Sequence, residues 1–260
     1  MSAAFRRATL AVALLAVATF AQAGRSCEAK APDAVAVQRG MTLAQHVAQR
    51  LDDSGAQVVV LARVGQDLSR YGQRYSHLGL AYRDDSTWRV VHKLNQCASA
   101  QASLYRQGLG EFFLDDPFDY QAGIVVLAPA VQAKLLPVLR DNGRLAQLHT
   151  PAYSMVAYPW AQTYQQSNQW AIETLAMAQY PSATTRERAQ AWLRLKDYQP
   201  ATLHLSAFTR LGARLTAANI AFDDHPNEKR FSDRIETVTV DSVFAWLQRS
   251  GLGSAALVVR

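Results

Sequence analysis

The chain lacks a glycine-rich phosphate loop, an HExxH helix, a GxSxG elbow and any Cys/His pair at zinc spacing. These absences remove the commonest nucleotide, metal and α/β-hydrolase classes, so no cofactor and no metal site are expected. Its 27 lysines and arginines are scattered, with no basic run and no interleaved aromatics, which excludes nucleic acid as an expected partner. There is no repeat, no low-complexity tract and no long Gly/Pro/Ser linker to divide the chain. Beyond residue 20 no apolar stretch approaches the about 20 residues that span a bilayer. Cysteine is scarce, with only Cys27 and Cys97.

The start of the chain is informative. Arg6 and Arg7 precede an apolar run from Ala8 to Phe20, followed by the small-x-small sequence Ala21-Gln22-Ala23. That order reads as a secretory signal peptide over residues 1–23, cleaved near Gly24, and implies a periplasmic or secreted protein without a transmembrane anchor. Cleavage removes two arginines and no acids, so 25 basic residues remain against 21 acidic ones, a mild +4. Residues 24–260 are enough for one sizeable core and are expected to form a single exported domain. In an oxidising compartment Cys27 and Cys97 are expected to pair, the rival reading being Cys97 as a free nucleophile near His92.

Periodicity predicts a helix over Thr42–Leu51 from Leu43, Val47 and Leu51, and a buried β-branched strand over Gln57–Val64. Tyr75–Arg83 and Thr87–Leu94 flank an Asp84-Asp85-Ser86 turn signal and read as a β-hairpin. Gly123–Ala128 reads as a strand. Pro129 suits the start of a helix to about Arg140, bent or ended by Pro137. Tyr153–Tyr158 is expected to be a strand and Asn168–Gln179, Thr184–Leu195 and Ser206–Ala217 helices. Ile235–Val240 has strand character, Asp241 is the expected N-cap of a helix over Ser242–Arg249, and Ala255–Val259 an expected edge strand. Helices and short strands in mixed order with hairpins give an α+β class.

With no cofactor motif, chemistry falls to single polar residues in apolar frames. His77 opens a strand in Ser76-His77-Leu78-Gly79, where a general base can be held rigidly; the plainer reading is a half-buried structural histidine. If Arg83 pairs with Thr87, His77 faces Lys93 with Asn95 diagonal to it; a one-residue shift sets His77 opposite His92. His92 or Asn95 is then the orienting partner of a triad-like arrangement, and the sequence leaves both open. Ser167 stands where a helix begins and can act as a nucleophile at the positive helix end, with backbone amides near Asn168 for an oxyanion; the alternative is an ordinary helix cap. Asp115-Asp116 and Asp223-Asp224-His225 lack a calcium-loop pattern and read as turn and cap residues. Glu111 and Glu173 lie among apolar residues as expected buried partners.

The segments YSHLGLAYR (75–83), VVHKLN (90–95), LYRQGLGEFFLDD (104–116), SNQWAIE (167–173) and DDHP (223–226) resemble a family of uncharacterised exported bacterial proteins, DUF2145-like, over nearly the whole mature chain. The N-terminal two-thirds is in turn similar to the circularly permuted, NlpC-like branch of the papain-like fold. That resemblance implies a papain-like core with an antiparallel sheet over about 40–180 and a helical C-terminal extension over about 181–260. It matches His77 to the branch's histidine and His92 or Asn95 to its polar third member. Ser167 falls at the position of the cysteine nucleophile, and the serine there departs from the pattern because it cannot wait as a thiolate. The expected activity is hydrolysis of an amide or ester bond in a cell-envelope peptide, glycan or acyl substrate. A catalytically inactive binding module for an envelope peptide or glycan is the alternative.

Overall fold

The computed structural model describes residues 33–115 and 117–260. The segment expected to be a signal peptide, Cys27 and Asp116 lie outside the described residues, and the expected Cys27–Cys97 bridge therefore does too. No helix among the described residues is long and apolar enough to cross a membrane.

The elements run α1 (Ala34–Asp53), β1 (Val58–Val64), β2 (His77–Asp84), β3 (Thr87–Asn95), β4 (Ala102–Gly108), α2 (Leu109–Leu114), β5 (Asp119–Val126), α3 (Pro129–Arg140), α4 (Asn142–Ala146), α5 (Ser167–Gln179), α6 (Arg186–Leu195), β6 (Ala201–His204), α7 (Ala207–Thr216), α8 (Asn227–Arg230), β7 (Arg234–Thr237), α9 (Val240–Arg249) and β8 (Leu257–Val259). Six strands form one sheet in the order β4-β3-β2-β1-β5-β8, every neighbouring pair antiparallel. The fold is thus mixed α and β around an antiparallel sheet.

Side chains alternate along each strand, so the sheet presents two apolar faces. Val58, Val60, Leu78, Leu80 and Val91 pack under α3, α5, α6 and α9 in the larger core. Val59, Leu61, Ala81, Val90 and Ile124 pack under α1 and α2 in the smaller one. Covering both faces explains why β1 reads as a continuous apolar run rather than an alternating one. The α1 helix buries the expected Leu43, Val47 and Leu51, and Asp33 caps its first turn.

Four sequence expectations are corrected. Asp84, not Arg83, pairs with Thr87, because the turn is two residues long with Asp85 at φ 53°. Tyr153–Tyr158 is not a strand; its backbone turns on Ser154 and bonds to Asn219. Pro137 does not end the helix but sits inside α3, where burial of Leu135, Val138 and Leu139 outweighs the missing bond. Thr239 rather than Asp241 caps α9, while the Asp241 carboxylate accepts from the backbone of Arg74 and Tyr75. The C-terminal third is not purely helical. It adds a small β6–β7 sheet with its own apolar cluster, then returns α9 to the larger core and β8 to the sheet edge.

Candidate functional site

Two polar clusters meet the sheet at the end where β2 begins and β3 finishes, one on each face. On the α2 side, His77 lies directly across from Arg63 of β1. His77 Nε2 is 2.8 Å from His92 Nδ1, and His92 Nε2 is 2.7 Å from Gln107 Oε1. Phe112 of α2 roofs both rings at centroid distances of 6.0 and 5.3 Å. The Arg63 guanidinium also lies over the Phe112 ring and bonds the Phe112 carbonyl and the Asp115 carboxylate.

Gly79 makes this approach possible. A Cβ there would meet Val90 Cγ1 at 2.5 Å and His92 Cβ at 3.3 Å. The glycine of the Ser-His-Leu-Gly motif therefore leaves the space in which His92 swings toward His77.

The proton order in this chain follows from the Gln107 amide placed with its oxygen toward His92. Gln107 offers an oxygen, so His92 Nε2–H donates and His92 Nδ1 accepts. His77 then donates from Nε2, which leaves its Nδ1 as a lone pair with no hydrogen bond to any described residue. Burial, helped by the Arg63 charge, pushes the His92 pKa down to about 4, against a smaller upward pull from Gln107 and Asp115. Burial, then Arg63 and His92, hold His77 well below the usual histidine range. Both rings are neutral at neutral pH, the state in which His77 Nδ1 can take a proton or a hydrogen bond.

On the α5 side the polar groups are saturated. Lys93 is fully buried, and its Nζ donates to the Thr150 carbonyl, the Gln165 carbonyl and Gln165 Oε1 at 2.6, 2.7 and 2.9 Å. Burial and the Arg186 charge push its pKa down to about 7, while Glu173 pulls it up. The three oxygen acceptors match three ammonium donors, so the geometry favours the charged form. Gln165 continues to Glu173, whose carboxylate also receives Arg186 and Gln190. Glu173 is the buried partner its apolar surroundings suggested; Glu111 is exposed.

This network fixes the entry to α5. Gln166, not Ser167, is the N-cap, in a reciprocal capping box with Gln169. Ser167 is buried, and its hydroxyl acts on the buried Tyr153 phenol, whose pKa burial raises against a smaller downward pull from Ser167. The Asn168 amide donates to Gln166 Oε1 at 3.2 Å, and its side chain ties Leu78 N–H to the Val238 carbonyl. The α5 N-terminus thus bonds β2 one residue past His77.

The structure brings His77 and His92 together and leaves Asn95 apart. Asn95 donates to the Ser99 and Gln101 carbonyls and accepts from Asn219, which shapes the β3–β4 turn. No hydrogen bond among the described residues joins His77 to Ser167. Asp224 and His225 are buried against each other at 2.9 Å, with Tyr158 N–H on Asp224 and the Glu236 carbonyl on His225. Asp223 receives the Tyr164 hydroxyl. No group of three or more His, Cys, Asp or Glu among the described residues could hold a metal.

Two open clefts lie away from both clusters. One of about 430 Å³ is lined by Trp160, Arg194, Tyr198, Thr202 and Glu236, among others. Another of about 480 Å³ lies beside Gln73, Arg74, Phe118 and Gln121.

Sequence reasoning missed Arg63, Gln107, Tyr153 and Gln165 as site members. Arg63 carried a signal, since a lone charge inside a β-branched run needs a buried partner. Gln107 carried none, because it lies on an edge strand with no apolar alternation to reveal it.

No curated protein and no solved structure matches the chain. The family model described as an uncharacterized protein conserved in bacteria (DUF2145) matches residues 50–247, which hold every member of both clusters, and the chain belongs to that family.

Proposed function

We propose that the protein is an exported, papain-like binding module of the cell envelope that holds a peptide or glycan without cleaving it. One observation carries this reading. Ser167 opens α5 on one side of the sheet, while His77 is bonded to His92 on the α2 side, and no hydrogen bond among the described residues joins the two. A serine nucleophile needs a base in contact to remove its proton during attack. The oxyanion donor expected at Asn168 is likewise committed, to Gln166. The Trp160 cleft offers a ligand an aromatic wall with charges of both signs at its rim.

A fluorophosphonate probe, which labels activated serines, tests the reading directly. We expect no labelling of the purified protein, together with measurable binding of peptidoglycan fragments by calorimetry. Labelling that disappears in Ser167→Ala overturns the binding-module reading.

One observation favours the second reading, a serine-variant amidase or esterase. His77 is locked in a tautomer with a free Nδ1 lone pair, one residue from the strand position that the α5 N-terminus bonds. In that mechanism Ser167 attacks, His77 is the base and His92 orients it, after a movement that brings the Ser167 hydroxyl from beside Tyr153 to His77. Tyr153→Phe should then raise probe labelling, whereas the binding module predicts none in either form.

A further inference from the structure

The α7 helix is packed inside out. Phe208, Leu211 and Leu215 are 88, 58 and 78 % exposed, and no residue of the helix is buried. At about 100° per residue, the three side chains fall within about 60° of one another. Arg210 and Ala213 lie on the opposite side. Arg210 bonds the Arg230 carbonyl and covers the Phe222 ring, so the polar side holds the helix to the body. An amphipathic helix ordinarily buries its apolar stripe against its own protein. Here the stripe faces outward as a continuous ridge, and an exposed ridge of this kind marks a contact surface.

We propose that this ridge seats on an anionic phospholipid surface. Charge selects that occupant. The helix carries no carboxylate; Arg210 is spent on the body, and Arg214 is exposed about 60° around the helix from Leu211. Phe and Leu on one side with arginine at the border is the pattern of helices that lie in the headgroup layer. A second copy of the chain fits less well. The three side chains offer on the order of 400 Å², about half of what each partner of a stable complex buries. An α7–α7 pair would also bring arginines of two copies together with no acid on the helix to meet them.

Hydrogen–deuterium exchange of the full chain tests this, read on peptides covering residues 207–216. The readout is local because Ala8–Phe20 is itself apolar and can reach lipid independently. With vesicles of phosphatidylcholine and phosphatidylglycerol, α7 amides should exchange about tenfold more slowly than in buffer. Phosphatidylcholine alone should give a smaller effect. Phe208→Ser/Leu215→Ser should abolish the protection without moving Tm, since neither side chain is buried. Arg214→Glu should weaken it, and more so at low salt. Unchanged α7 exchange on anionic vesicles overturns the proposal. So does protection that rises with protein concentration in the absence of lipid, which points to a second copy instead.

Discussion

Among the described residues, Glu173 on the α5 side receives four hydrogen bonds from three residues, whereas the His77 ring on the α2 side has one. The two clusters stand on opposite faces of the same sheet end, and both contain buried ionisable groups. Their difference lies in how many donors and acceptors are used up. In the Lys93–Gln165–Glu173–Arg186 network Glu173 pairs with Arg186 and Lys93 meets three neutral oxygens, and the cluster encloses the entry to α5. In the His77–His92–Gln107 relay the last nitrogen is left over, on a partly buried ring. A saturated network has stability as its output, because any ligand would have to break a bond to enter. An unsaturated one keeps a lone pair for something outside the chain.

The largest expected effect comes from opening the saturated side. Glu173→Ala leaves the Arg186 charge buried without its partner and should cost about 3–5 kcal/mol of unfolding free energy by urea denaturation. Arg186→Met in the same background should recover part of that loss, because the orphaned charge is then gone. A loss below about 1 kcal/mol for the single variant would erase the contrast between the two faces.

Acid should attack the other side. His92 has a folded pKa of about 4, below the 6.5 of an unfolded histidine. Between those values the unfolded state holds a proton that the native state does not. Stability from this group is therefore full above about pH 6.5 and falls as pH drops toward 4. The shift corresponds to about 3 kcal/mol, and His77, displaced in the same direction, adds to it. The stability difference between wild type and His92→Gln should shrink across that window. A difference that stays level with pH would mean that the rings are not held neutral.

These clusters also show what the sequence can disclose. Period-four apolar spacing in α1 and the β-branched run of β1 were legible because burial writes itself into local pattern. His77 and His92 were legible as a pair because a hairpin keeps strand neighbours together in any register. The register itself was not, since Asp84-Asp85-Ser86 admits turns of different length, and only the left-handed Asp85 settles it. Lys93 looked like a companion of His77, but strand alternation sends it to the opposite face, where Gln165 reaches it across 72 positions of sequence. Ser167 was correctly placed at a helix start, yet its partner Tyr153 comes from a segment whose spacing resembled a strand. Contacts between irregular segments leave no period to read.

Gly79→Ala probes the geometry that lets the relay form. The new Cβ meets the Val90 side chain at 2.5 Å and crowds His92 Cβ and the Val91 carbonyl at 3.3 Å, so β3 or its side chains must shift. The expected cost is about 1–3 kcal/mol, as for other overpacked cores. It should come with loss of the His77–His92 bond, visible as two uncoupled imidazole signals in NMR. The α5 side should be unaffected, since Gly79 shares its face with His77 and not with Lys93.

Gln107 is the smallest and sharpest test. Gln107→Leu removes only the acceptor of His92 Nε2–H, at a cost of about 1 kcal/mol. Its consequence for the protons is larger than its consequence for stability. With the oxygen gone, nothing compels His92 to donate from Nε2, and the donor order along the chain is released. Nitrogen-15 shifts of His77 should then change from a single Nε2–H tautomer to a mixture, while Gln107→Glu keeps the single tautomer because a carboxylate also accepts. A wild-type His77 already in mixture would show that Gln107 does not set the order, and the free lone pair at Nδ1 would lose its structural cause. If the single tautomer is found and Gln107→Leu scrambles it, the α2 face is set apart by the aim of its leftover nitrogen, a property the saturated α5 network cannot have.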